Sequence, residues 1–247
     1  MKLAGKTAIV TGGGRDIGAA AAVGLAAEGA NVVLSYHASA EGAEGVVKKI
    51  EAAGGKARAV PADLTAQAGV DALVDAAMES FGSVDILVNN SGGLVARVKV
   101  AEMPLEHWHT VMNLNMTSTF MMVNACLRHM KSGAIVNIAS QAGRDGGGPG
   151  AVAYATSKGA VMTFTRGLAK ELGPDIRVNA INPGMIDTDF HNIHSKPEVR
   201  KNVANATPLK REGLPEDVAN LVVYLASDDA AFITGANVDI NGGLAFS

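Results

Sequence analysis

A doubly wound α/β domain is expected of this chain for three reasons. Seven short apolar runs are each bounded by Gly, Pro, Asn or Asp. Longer alanine-rich stretches with helical spacing separate them. The first run ends in a glycine-rich turn, Thr11-Gly12-Gly13-Gly14-Arg15-Asp16-Ile17-Gly18. Runs that stay apolar at consecutive positions suit strands buried on both faces of a parallel sheet, and right-handed crossovers through the intervening helices cover both faces.

Taken in order, residues 7–11 form the first strand, which runs into Gly12, and residues 31–35 the second, which follows Gly29. Residues 57–61 form the third, closed by Pro61, and 84–89 the fourth, ending at Asn89-Asn90. The fifth, 134–140, follows Gly133; the sixth, 176–181, lies between Asp175 and Asn182-Pro183; the seventh is Asn237–Ile240, closed by Asn241-Gly242. Thr11, Asn89, Ser140 and Asn182 fall at strand C-termini, where an open sheet forms its ligand crevice. The glycine cluster at 146–150 reads as a loop, and with no linker or repeat the chain is expected to form one domain over 1–247.

Composition narrows the function classes. At 247 residues, with 48% hydrophobic and 4% aromatic residues, the chain can bury one sizeable core. A net charge of −3 with both signs interspersed excludes a basic stripe for nucleic acid and a polybasic membrane anchor. Residues 1–6 run straight into the first strand without an apolar leader, which makes cytoplasmic residence the expectation. The single cysteine, Cys126, excludes an intrachain disulfide and reads as a small buried hydrophobe, while Trp108 reads as core. His107 with His109 and His191 with His194 lack the carboxylate or thiol partners of a ligand set, so no metal is expected.

The chemistry lies in Tyr154-Ala155-Thr156-Ser157-Lys158, fourteen residues after Ser140. Residues four apart share a helix face, so an ammonium sits beside a phenol. A nearby positive charge stabilises phenolate and lowers a pKa of ~10 toward the range useful for acid–base catalysis. By itself this pair is weak evidence, since most such pairs are solvated helix surface. The order of the further motifs is the stronger signal: the glycine turn, Asp63-Leu64-Thr65, Asn89-Asn90-Ser91-Gly92, Asn115, Ser140, Tyr154 with Lys158, and Pro183-Gly184.

In that order, and over nearly the whole chain, these residues resemble the short-chain dehydrogenase/reductase family. The resemblance implies a single Rossmann domain that moves a hydride between a nicotinamide cofactor and a carbonyl or alcohol. It implies that Tyr154 transfers the proton, Ser140 holds the substrate oxygen, Lys158 binds the nicotinamide ribose and lowers the tyrosine pKa, and Asn115 positions a water. It implies cofactor contacts from Gly12, Arg15, Ile17 and Gly18 in the first turn, and from Tyr36, His37 and Ser39 after the second strand. Asp63, Leu64, Asn89, Gly92, Pro183, Gly184, Ile186 and Thr188 complete that set. The family's middle glycine is Asp16 here, whose carboxylate is expected to turn away from the phosphates toward Arg15. With no acid at 35–39 and Arg15 available for a 2′-phosphate, NADP(H) is favoured and NAD(H) is the alternative.

For the substrate, the resemblance implies walls at 93–97 and 141–150 and a lid at about 185–207. Arg97, Gln141, Arg144 and His191 are the candidate contacts. Arg97, Arg144 and His191, with His194, Lys196, Arg200 and Lys201, make these segments basic, which suggests a small polar or anionic keto compound such as a sugar- or uronate-derived carbonyl. The alternative is a 3-oxoacyl group on acyl carrier protein, with Arg128 on a docking surface. Against it stand the absence of a basic residue in Leu172-Gly173-Pro174-Asp175-Ile176 and the apolar Ala151-Val152-Ala153. A lesser alternative is a non-catalytic nicotinamide-binding regulator. The apolar tail Leu244-Ala245-Phe246 and the family's habit point to a D2 homotetramer.

Overall fold

A computed structural model describes residues 1–246, leaving Ser247 at the end of the predicted tetramer-forming tail outside the described residues. Its strands are β1 (Thr7–Val10), β2 (Asn31–Tyr36), β3 (Lys56–Pro61), β4 (Ile86–Asn89), β5 (Gly133–Ile138), β6 (Ile176–Pro183) and β7 (Asn237–Ile240). They form one parallel sheet in the order β3-β2-β1-β4-β5-β6-β7. The predicted runs and the observed strands coincide to within a few residues; Ser140 lies just beyond β5 rather than in it.

Successive side chains of a strand point to opposite faces, and the two cores of the protein follow from that alternation. Ala8 and Val10 of β1 and Val32 and Leu34 of β2 join one core with Leu25, Val222 and Leu225. Ile9 and Val33, the residues between, join the other with Leu73, Met122, Ile135 and Leu168. The first core is covered by α1 (Asp16–Ala27), α2 (Ala40–Ala52) and a late helix at Pro215–Ala226; the second by α3 (Gln67–Phe81), the helical stretch through Ser118–Cys126, and the helix at Val152–Leu172. Cys126 is buried in the second core and burial pushes its thiol up to about 12, so it is the inert hydrophobe expected. Trp108, by contrast, is half-buried on α4 (Leu105–Met112), whose only buried residue is Val111.

Two local features shape the crevice. Between α4 and α5 (Ser118–Cys126) the chain makes a π-helical turn over Asn113–Thr117, which rotates the buried Asn115 toward the end of β4. Beneath the crevice a buried polar chain crosses the sheet: Asn89 Nδ2 donates to Asn137 Oδ1 at 2.9 Å, and Asn137 Nδ2 donates to Thr165 Oγ1 at 2.9 Å. The remaining helices are α6 (Ala142–Asp145), α7 (Val152–Leu172), α8 (Asp189–His194), α9 (Pro197–Ala206) and α10 (Pro215–Ala226). No helix of the described residues is long and apolar enough to cross a membrane.

Candidate active site

A cleft of about 1200 Å³ opens along the C-terminal ends of the strands. Strand order reverses between β1 and β4, and the loops that leave them part there, as expected for a doubly wound sheet. One end of the cleft is lined by Tyr36, His37, Ser39, Asp63 and Leu64, and the middle by Gly12, Arg15 and Ile17. The other end carries Gly92, Ser140, Tyr154, Lys158, Pro183, Gly184, Ile186 and Thr188. Among the described residues there is no cluster of three or more His, Cys, Asp or Glu that would hold a metal.

The first turn is built for close approach. Thr11 Oγ1 accepts the Asn90 and Ser91 N–H groups at 2.9 Å, tying β1 to the loop after β4. Gly12 has φ +63°, and a Cβ on Gly18 would lie 2.2 Å from the Gly12 carbonyl oxygen, so the helix start and the turn touch backbone to backbone. Gly18 therefore shapes the turn without lining the cleft. Asp16 adopts φ +51°, the left-handed conformation that Asp tolerates better than most residues. Its carboxylate does lean toward Arg15, with Nε 3.9 Å from Oδ2, and it also accepts the Asp189 N–H at 3.2 Å, at the start of α8. Arg15 Nη1 reaches Asp189 Oδ2 at 3.3 Å. Burial pushes the Asp16 carboxyl upward, partly offset by the hydrogen bond from Asp189.

Two predicted cofactor residues have other tasks. Asn89 is buried with its amide on Asn137, and its neighbours Asn90, Ser91 and Gly92 face the cleft instead. Asp63 lines the cleft, but its Oδ1 also accepts the Thr65 N–H and hydroxyl at 2.9 and 2.7 Å, which holds the carboxyl below its ordinary value.

At the far end, helix α7 presents Tyr154 and Lys158 on one face. Lys158 Nζ lies 5.9 Å from the Tyr154 ring centroid and donates to the Ile138 carbonyl at 2.8 Å. Burial lowers the Lys158 pKa to about 8. The Tyr154 phenol is pushed up by burial, against the pull of its hydrogen bond with Ser140. The expectation that Lys158 depresses it is not met in this geometry, where the ammonium faces the Ile138 carbonyl and the desolvation of phenolate dominates. Ser140 Oγ accepts the Ala142 N–H at 3.1 Å and faces the Tyr154 phenol across the cleft. Asn115 does not face the cleft. Its amide donates to Gly93 O and Val111 O at 2.9 Å and accepts from Gly93 N at 3.0 Å, so its side chain clamps the Gly92–Gly93 turn and has no donor left for a water. A Cβ on Gly92 would lie 2.5 Å from Asn115 Oδ1 and 3.1 Å from Lys158 Nζ.

The basic residues expected around the substrate are largely committed elsewhere. Arg144 is directed out of the cleft, where it pairs with Asp239 at 2.7 Å and donates to the Asn237 carbonyl. Arg200 pairs with Asp187 and Glu212. Arg97 lines the cleft but donates to the carbonyls of Pro149 and His194 at 3.1 and 3.3 Å. Gln141 lines it too, with its amide donating to Asp145 at 3.0 Å. Burial takes His191 down to about 4, so it is neutral at pH 7, with Nδ1 2.9 Å from Ser195 Oγ. Sequence reasoning missed Phe190, whose ring lies 5.7 Å from that of Tyr154 and 5.0 Å from both His191 and His194. The available signal was that Phe190 is the only aromatic carbocycle in 185–207.

The family description that matches residues 12–245 is "Enoyl-(Acyl carrier protein) reductase". Among characterised relatives, a "Glucose 1-dehydrogenase 2" of Bacillus subtilis is 40% identical over 250 residues, covering 98% of this chain and 95% of the relative. A "3-oxoacyl-[acyl-carrier-protein] reductase" of Synechocystis is also 40% identical, with 98% of both chains covered. A solved short-chain dehydrogenase/reductase from Serratia marcescens superposes with a TM-score of 0.94 at 38% identity over the full length of both chains. A "blue fluorescent protein from metagenomic library", solved in complex with NADPH, superposes at 0.93 and 37% identity over 100% of each chain. Fold, cleft and relatives agree: the chain belongs to the short-chain dehydrogenase/reductase family of NAD(P)-dependent oxidoreductases.

Proposed function

We propose that this protein reduces a ketone to a secondary alcohol, or runs the reverse reaction, with NADP(H). The observation that carries the reading is the convergence of Ser140, Tyr154 and Lys158 in a cleft of about 1200 Å³ that also takes in the first turn and the end of β2. The residues present fit such a cofactor. The Gly12–Gly18 backbone contact leaves a helix start free for a pyrophosphate, and His37 and Ser39, with Arg15 between them and the middle of the cleft, are available to a 2′-phosphate. A similar protein binds NADPH, which supports the same choice here.

When bound, the reduced nicotinamide supplies the hydride that adds to the carbonyl carbon. The Ser140 hydroxyl donates to the carbonyl oxygen as charge develops on it. Tyr154 then delivers its phenolic proton to that oxygen, leaving a phenolate. Lys158, with one N–H on Ile138 O, keeps two donors for the ribose hydroxyls and holds positive charge near the phenolate. Asn115 acts at one remove, by fixing the turn that carries Gly92.

Of the basic residues behind the expectation of an anionic substrate, Arg144 and Arg200 are paired with carboxylates and His191 is neutral, while Arg97 lines the cleft as a cation held on two carbonyls. A sugar-derived carbonyl remains supported by one relative and a 3-oxoacyl thioester by another. Exposed apolar residues on α4, α5 and α7, namely Leu105, Phe120 and Val152, together with Phe246 near the chain end, support a homotetramer, which light scattering tests. The single buried cysteine suits the cytoplasm.

NADPH and NADH oxidation across a panel of ketones, sugars and 3-oxoacyl thioesters tests the reaction. Tyr154→Phe, which removes one hydroxyl and keeps the ring, is expected to bind NADPH and lose ~100- to 10,000-fold in kcat. Near-parental turnover by that variant sinks the assignment, and a protein that binds NADPH but turns over nothing is a regulator.

A further inference from the structure

The substrate end of the cleft is unusual in what it leaves uncovered. Large apolar side chains are normally scattered singly over a protein surface. Here Ile193 is 68% exposed, Val199 47% and Val95 44%, and all three line the cleft. Leu94, Met185 and Phe190 line it with them, and the Phe190 ring reaches to 5.7 Å from that of Tyr154. Val95 also has φ +65°, a conformation that a β-branched residue adopts only at a cost. Such outliers gather at ligand sites.

Every ionisable group at this end has a protein partner or is neutral. Lys158 is on the Ile138 carbonyl and Arg97 spans two carbonyls. Asp145 accepts from Gln141 and from the Gly147 N–H, and adds negative charge that opposes an anion. Burial holds both His191 and His194 below their ordinary values. Arg97 keeps its charge but is held on two backbone carbonyls, whereas an apolar group entering here displaces water from isoleucine, valine, methionine and phenylalanine.

Building on the carbonyl-reductase reading, we propose that the site selects neutral ketones whose substituent is apolar, an alkyl chain or an aromatic ring. That substituent sits against Phe190, Ile193 and Val199 while the carbonyl meets Ser140 and Tyr154. The reaction is ketone plus NADPH plus a proton giving secondary alcohol and NADP⁺, with the hydride on carbon and the proton, through Tyr154, on oxygen. Selectivity comes from hydrophobic burial against these side chains.

The test uses the full-length protein and straight-chain methyl ketones of about four to eight carbons. A keto acid with the same carbon skeleton as the longest ketone and a terminal carboxylate, and an aryl methyl ketone, complete the set. Each buried methylene is expected to raise kcat/KM by about fourfold. The longest ketone is expected to exceed its keto-acid counterpart by at least about tenfold. Ile193→Asp, at an exposed position that a charge does not unfold, is expected to flatten the chain-length series while NADPH titration gives the parental Kd. A flat series in the parent, or a preference for the keto acid, overturns the substrate class and leaves carbonyl reduction standing, provided turnover still requires Tyr154. Absence of turnover on every ketone by protein that binds NADPH overturns both readings.

Discussion

Replacing Asn115 by Leu separates support of the cleft from chemistry within it. The two side chains share heavy-atom count and branching, so the shape at this fully buried position is nearly kept while three hydrogen bonds are lost. Each such bond contributes roughly 1 kcal/mol net, and the carbonyls of Val111 and Gly93 and the Gly93 N–H lose their partner, which raises the total to about 3–5 kcal/mol. In a domain of this size 1 kcal/mol moves the Tm by about 2–4 °C, so thermal denaturation is expected to fall by roughly 6–20 °C. The Gly92–Gly93 turn lines the cleft, so titration with NADPH is expected to show weaker binding as well. A Tm within about 2 °C of the parent, with unchanged affinity, refutes the clamp and returns Asn115 to a direct role in the site.

Arg15→Ala is expected to weaken NADPH by roughly tenfold and NADH much less, because only the phosphorylated cofactor offers a charge-assisted contact; equal weakening leaves Arg15 a turn-shaping role with Asp16 and Asp189. Asp16→Gly removes the acceptor of the Asp189 N–H, so limited proteolysis within 189–206 is expected to accelerate while NADPH affinity holds or rises; unchanged cleavage with weaker binding reverses that assignment. Acidification tests His191. Its folded pKa of about 4 lies below its unfolded value of 6.5, so between these the unfolded chain binds more protons and stability falls as pH drops. Tm measured from pH 7 to 4 is expected to fall more steeply for the parent than for His191→Gln, and parallel curves count against it.

The strands were legible because all but the edge ones are buried on both faces, and continuous apolar runs such as Ala8-Ile9-Val10 and Ile86-Leu87-Val88 announce themselves. Tyr154 and Lys158 were legible as neighbours because a helix brings residues four apart together. What pairs across the fold was hidden. Arg144 meets Asp239 from ninety-five residues away, and Arg15 meets Asp189 over a separation of 174, so counting cations in the sequence could not reveal which were already paired. Asn89 shows a finer limit, since the motif identifies a strand end but not which of two adjacent amides turns inward. The Tyr154 pKa was misjudged for a related reason: sequence shows that a charge is near, whereas burial, the larger effect here, emerges only with the fold.

The amide chain under the cleft bears on how the chain avoids misfolding. Parallel strands of plain hydrocarbon have little to distinguish one register from the next, and β4 and β5 are almost wholly of that kind. Asn89 pairs with Asn137 across them, and Asn137 with Thr165 of α7. A shift of one residue would leave these groups unpartnered in a dry interior at ~1–3 kcal/mol apiece. The polar residues thus favour the native register at the strand pair whose ends carry Gly92 and Ser140, the alignment that sets the two sides of the cleft opposite each other.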